Sequence, residues 1–260
     1  MNKILILGAG KMGSWLAESL CLDYDVAIYD KELKKLKYFF KTKRLVSFYE
    51  IHEFAPELMI NAVNLEKTVE VFEQVIPLLP EDCIIADIAS VKNGLKEFYN
   101  RSGKRFVSTH PMFGPTFGNV KDLSKENAIV ITESDPEGKS FFHSFFKSLN
   151  LNIFDYSFDQ HDKTIAYSLS IPFSSSMVFA ACMEKLEVPG TTFRRHLDIA
   201  KGLLSEDDYL LSEILLNPYT LEQVENINSR LSQLIGLIRG KNGKGIRKFL
   251  DTLRENIGEN

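Results

Sequence analysis

The sequence predicts an α/β protein in two parts: a parallel sheet wound with helices on both faces over residues 1–157, then an all-helical domain over 158–260. Two observations carry this. The first part alternates short, continuous apolar runs with amphipathic stretches, the pattern of strands buried on both faces between crossover helices. After about Asp159 the strand signals stop and long helical periodicities follow. Taken in order, Lys3–Leu7, Asp25–Tyr29, Leu58–Val63, Cys83–Ile88, Arg105–Thr109 and Ala128–Thr132 are rich in Ile and Val and read as strands, with Asn150–Tyr156 as one further strand. Lys11–Leu20, Glu66–Leu78, Val91–Asn100 and Glu137–Leu149 read as the helices between them. His161–Leu186, Phe193–Leu204, Asp207–Leu216, Leu221–Arg239 and Lys244–Asn256 read as helices of the second part, punctuated by Pro189-Gly190 and Asn217-Pro218. Helices that apolar predict a homodimer formed through the helical domain, or the same face packed on the first domain.

Composition narrows the function classes. The 260 residues are 44% apolar, with 31 basic against 35 acidic side chains and a net charge of −4, so no bulk basicity points to nucleic acid or an anionic membrane. Cys21, Cys83 and Cys182 are too few and too far apart for a disulfide framework or a metal site. The apolar run before the first glycine is too short for a signal peptide, and no apolar stretch reaches the ~18–20 residues of a membrane span. The expectation is a soluble, cytoplasmic protein with no metal.

Gly8-Ala9-Gly10-Lys11-Met12-Gly13 follows the first strand and opens the first helix. The first glycine permits the turn, the second lets backbone approach a pyrophosphate, and the third lets the helix pack on the strand. Free N–H groups at the helix start favour phosphate. The second strand ends at Asp30, 22 positions after Gly8, where a carboxylate can bond the ribose hydroxyls and repel a 2′-phosphate. A Rossmann-type site for NAD follows, built from Gly8 to Gly13 and Asp30, with Val63 at the end of a neighbouring strand.

Two further segments follow strands whose carboxyl ends face the ligand crevice of such a sheet. In Asp87-Ile-Ala-Ser90-Val-Lys92-Asn-Gly94, Ser90 and Lys92 lie where a substrate would, and Ser90 also suits a helix N-cap. In Thr109-His110-Pro111-Met112-Phe113-Gly114-Pro115, His110 is presented by a stiff loop, and an ordinary pKa of ~6.5 suits it to remove a hydroxyl proton at neutral pH. His52 and His143 read as surface helix positions.

GAGKMG, DIASVKNG and THPMFGP, in that order, resemble the prephenate and arogenate dehydrogenases of tyrosine biosynthesis. Gln160-His161-Asp162 followed by Tyr167-Ser168 resembles that family's entry into its helical domain. The resemblance implies NAD-dependent oxidative decarboxylation of prephenate to 4-hydroxyphenylpyruvate and CO2, or of arogenate to tyrosine. It implies His110 as catalytic base, Ser90 hydrogen-bonded to base and substrate with Lys92 beside it, and Met112 and Gly114 lining the substrate. Phe173 stands where the family places a substrate histidine, and Gly202 where it places a carboxylate-binding arginine, which leaves Arg194, Arg195 and Lys201 as the nearby cations. A reductase of cyclic imines or β-hydroxy acids, or a non-catalytic NAD-binding module, would keep the glycine loop without needing His110.

Overall fold

The structure, a computed structural model, describes residues 1–113, 122–184 and 187–258. Two compact units emerge: Met1–Thr164 with Asp208–Glu213, and Ile165–Asp207 with Ile214–Asn260.

The first unit holds one eight-stranded sheet of β1 (Lys3–Leu7), β2 (Asp25–Tyr29), β3 (Lys43–Leu45), β4 (Leu58–Asn61), β5 (Ile84–Asp87), β6 (Phe106–Pro111), β7 (Asn127–Ile131) and β8 (Asn152–Tyr156). Their order across the sheet is β3-β2-β1-β4-β5-β6-β7-β8. β1, β4 and β5 are apolar along almost every residue because both faces are covered. Ile4 and Ile6 of β1 pack with α1 (Lys11–Leu20) and α5 (Pro136–Ser148), through Trp15, Leu16, Phe142 and Phe146. Leu5 and Leu7 point the other way, into a core with Phe54 of α2 (Tyr49–Phe54), Phe72 of α3 (Thr68–Val75) and Phe98 of α4 (Leu95–Ser102). The period of two along one strand therefore feeds two separate cores. Gly138 lets α5 sit close on the sheet, since a Cβ there would lie 2.8 Å from Cβ of Val107.

Three features depart from the sequence expectation. β6 and β7 pair antiparallel, so the sheet is mixed; β7 and β8 are again parallel. The three-residue β3 and the short α2 went unread because neither is long enough to show a period. α4 begins at Leu95 rather than near Val91, with Gly94 as its N-cap at φ +72°, so Ser90 does not cap it.

The second unit is helical: α7 (Ile171–Ala181), α8 (Thr191–Leu203), part of α9 (Asp208–Leu215), α10 (Thr220–Arg239) and α11 (Gly243–Asn256). Inside it, the hydroxyls of Ser170 and Thr220 meet at 2.6 Å, and Thr220 Oγ1 also donates to the Ile214 carbonyl. α6 (Phe158–Ile165), a π-helical turn at Ala166–Ser170 and α7 follow without a break. That 24-residue run is long and apolar enough to cross a membrane by length and composition alone, contrary to the sequence reading. Its first turns, up to Thr164, nonetheless belong to the first unit, where Phe158 and His161 are buried.

Candidate active site

The carboxyl ends of β1, β2 and β4 meet where the strand order reverses, the position at which doubly wound sheets bind ligands. A cavity of about 440 Å³ opens there, lined among others by Gly8, Gly10, Asp30, Lys35, Val63 and Asn64. Gly8 has φ +97°, and a Cβ on it would lie 2.7 Å from the Ala62 carbonyl oxygen. At Gly13 a Cβ would collide with the Gly8 carbonyl oxygen, so α1 can cross the strand end only without a side chain there. Gly10 differs: a Cβ would meet nothing within 4 Å, and the residue lines the cavity. Its missing side chain serves space rather than packing. α1 starts there with no side-chain cap, leaving helix-start N–H groups for an anion. A pyrophosphate fits this cradle. Asp30 sits at its edge and is tied in twice: Ala9 N–H donates to Oδ2 at 2.8 Å and Glu32 N–H to Oδ1 at 2.8 Å. It thus fixes the glycine loop as well as facing the cavity, with Lys35 Nζ 3.7 Å away. Ala9 is buried, Lys11 is exposed and Met12 is half-buried against the core.

The neighbouring strand ends carry the titratable groups. His110 lies near the end of β6, paired with Ile129 of β7, and is 6% exposed. Its Nδ1 is 3.1 Å from Nε2 of His161, and His161 Nδ1 is 3.0 Å from Oδ1 of Asp162. Burial, then the repulsion a second imidazolium at His161 would exert, then the positive charge of Lys92, hold His110 well below the ordinary histidine range. Burial and Lys92 push His161 down to about 3, with Asp87 opposing. Burial pushes Asp162 up to about 6. His110 is therefore neutral through the whole physiological range, rather than titrating near 6.5 as the sequence alone implies.

Beneath the two rings runs a second buried network. Lys92 Nζ pairs with Asp87 Oδ1 and donates to the Thr109 carbonyl at 2.7 Å; Tyr99 donates to Asp87 Oδ2 at 2.7 Å, and Thr109 Oγ1 to the Asp87 carbonyl. Lys92 and Asp87 side chains are both fully buried. Burial lowers the Lys92 pKa, with Asp87 opposing, while burial and Asp87 raise the phenol of Tyr99 well above its usual range.

These placements correct several expectations. Lys92 is not open to a substrate anion, because its ammonium is committed to Asp87 and Thr109; its charge acts on the histidines instead. Ser90 is half-buried on the bend after β5, and among the described residues the ring partner of His110 is His161, not Ser90. Met112 is half-buried at the end of β6, and Gly114 lies outside the described residues. Arg194, Arg195 and Lys201 are exposed on α8 of the second unit, where Phe173 and Gly202 are half-buried. His52 and His143 are indeed surface helix positions, the latter paired with Asp155. Sequence reasoning gave no role to Asp87, Tyr99 or Asp162. A carboxylate closing a wholly apolar strand was a usable signal for Asp87, since a buried charge needs a partner. Tyr99 reads as one more core aromatic beside Phe98, and its hydroxyl had no signal.

Three comparisons bear on the family. Residues 30–150 match the family model described as prephenate dehydrogenase, nucleotide-binding domain, a span that includes Asp30, Ser90 and His110 but not the glycine loop. The chain is similar to a probable arogenate/prephenate dehydrogenase of Methanocaldococcus jannaschii, 21% identical over 98% of this chain and 60% of that protein. It thus spans about three fifths of that curated relative's length. Its fold is similar to crystal structures of prephenate dehydrogenase from Aquifex aeolicus in complex with hydroxyphenyl propionate and NAD+ (TM-score 0.83, 20% identity, 100% of this chain and 99% of that one) and of Synechocystis arogenate dehydrogenase (TM-score 0.78, 18% identity, 99% of each chain).

Proposed function

From a first unit that carries the nucleotide-binding domain of the prephenate dehydrogenase family, we propose an NAD-dependent dehydrogenase that oxidatively decarboxylates prephenate, with arogenate as the alternative substrate. The observation that carries the reading is His110: a neutral, buried imidazole on the same sheet edge as an open glycine cradle. A non-catalytic nucleotide-binding module would have no use for it.

NAD, when bound, supplies the hydride acceptor. Gly8, Gly10 and the start of α1 would hold its pyrophosphate, and Asp30 would receive the adenosine ribose. His110 takes the proton of the C4 hydroxyl, and loss of the ring carboxylate as CO2 leaves an aromatic product. The depressed basicity of His110 does not disable it, because aromatisation drives the step and a neutral ring is ready at every physiological pH. The substrate's carboxylates need cations, since unpaired carboxylates are costly to desolvate. With Lys92 committed internally, Arg194, Arg195 and Lys201 remain the residues for that role. Exposed apolar residues on the second unit, among them Val178, Leu221, Leu231 and Ile238, support a homodimer through the helices. Free cysteines at 21, 83 and 182 suit a reducing cytoplasm.

The test is absorbance at 340 nm with prephenate and arogenate, each with NAD and NADP. Prephenate with NAD is expected to give the highest kcat/KM. His110→Asn is expected to bind NAD normally and lose ~10²–10⁴-fold in kcat. A mutant retaining more than half its activity would show that His110 is structural.

A further inference from the structure

We propose that His161 and Asp162 are positioning residues that lock His110 in the tautomer whose Nε2 is unprotonated. The inference rests on the reading of His110 as a base, and it follows from the direction of the hydrogen bonds. An ionised Asp162 carboxylate can only accept, so His161 Nδ1 at 3.0 Å carries a hydrogen. A neutral imidazole has one N–H, so His161 Nε2 is an acceptor. His110 Nδ1, 3.1 Å from it, must then donate. That leaves Nε2 of His110 as its only basic nitrogen, whichever way the ring would otherwise tautomerise.

The local fold holds this chain of three residues in place. Ser157 and Gln160 form a reciprocal capping pair, Gln160 N–H donating to Ser157 Oγ and Ser157 N–H to Gln160 Oε1, which pins the start of α6. Phe158 packs against Tyr99 and Phe106, tying that start to α4 and β6. One residue after Gln160, His161 is fully buried against His110, while the Asp162 side chain remains 21% exposed. Among the described residues, the charges facing these groups from the surrounding elements are Asp87 at the end of β5, Lys92 in the segment between β5 and α4, Lys96 on α4, and Asp159 on α6. Lys92 disfavours a cation on either ring, which keeps both neutral and the hydrogen-bond direction fixed.

Long-range proton–nitrogen NMR on 15N-histidine protein at pH 7.5 reads the tautomers directly, with signals assigned from His110→Gln and His161→Gln. Both rings are expected to be protonated on Nδ1. In Asp162→Asn the side chain can also donate, so His161 should shift toward its Nε2-protonated form. The kcat of that variant should fall ~10–100-fold with little change in KM for NAD, and Asp162→Glu should recover part of it. A wild-type His110 protonated on Nε2 would overturn the lock, and so would an Asp162→Asn protein with unchanged tautomers and kcat. Because the spectra need no substrate, Nδ1-protonated rings in a protein that oxidises neither prephenate nor arogenate would uphold the lock and refute the proposed reaction instead.

Discussion

Gly10, the N-cap of α1, and Gly13, in its first turn, lie three residues apart, yet substituting them should damage different properties. A Cβ on Gly13 would overlap the Gly8 carbonyl oxygen, a clash with backbone that no rotamer relieves. The start of α1 would have to lift off the end of β1, which we expect to cost on the order of 3 kcal/mol, the upper range for overpacking. Gly10 has φ −77° and ψ −171°, extended backbone open to any residue, and its Cβ meets nothing within 4 Å. Gly10→Ala should therefore cost only about 0.5 kcal/mol as an N-cap change. Its methyl group would occupy the space into which the pyrophosphate fits, raising the Kd for NAD at least tenfold, or about 1.4 kcal/mol. Urea unfolding midpoints and NAD titration calorimetry on both variants separate the two effects. Wild-type NAD affinity in Gly10→Ala would refute the assignment of that space to the cofactor. Wild-type stability in Gly13→Ala would refute the packing argument.

Other expectations follow from the same geometry. Asp30→Ser should raise the NADP/NAD ratio of kcat/KM by removing a carboxylate and releasing Lys35, while loosening the glycine loop through the lost Ala9 bond; an unchanged ratio would place Asp30 away from the ribose. Acid should destabilise the fold through the histidines: His110 and His161 are held below the ordinary ~6.5, so the stability they contribute is complete above that pH and is lost as pH falls toward their folded values, about 3 for His161. Asp162, raised to about 6, acts with the opposite sign between about pH 4 and 6. In that window the two histidines act against the one carboxylate, so unfolding takes up protons on balance and stability falls as the pH is lowered. His161→Asn should flatten that slope in urea titrations from pH 4.5 to 6; a slope equal to wild type would show that His161 is not held neutral. If α8 supplies the proposed carboxylate clamp, alanine at Arg194 or Arg195 should raise KM for prephenate at least tenfold with the sedimentation behaviour of the wild type, and two variants with unchanged KM would move that clamp elsewhere.

The glycine loop, β1, β2 and α1 were legible because each is fixed by local rules: a turn that needs glycine, a strand that is apolar on both faces, an acid at a strand end. His110 was legible for the same reason, at the end of a strand before a proline. The partners of these residues were not, because partnership is set by the order of strands and not by the chain. Lys92 looked like a cation for substrate until β5 and β6 proved to be neighbours, which brings Thr109 and Asp87 around its ammonium. His161 meets His110 across 51 residues, and nothing in either segment announces the other. The reversal at β7 escaped notice because a buried strand has the same composition in either direction.

The strand order also divides labour along the sheet. Among the described residues, those lining the glycine cavity come from Leu7 to Gln74, whereas the imidazole chain and its ionic floor come from Asp87 to Asp162. The two share an edge but no side chain. Coenzyme preference and proton chemistry are thus separately exchangeable: a graft replacing the cavity-lining residues of this stretch, with Phe72 kept because it packs on Tyr99, is expected to retune which dinucleotide is used while leaving the base, its tautomer and its ion pair as they stand.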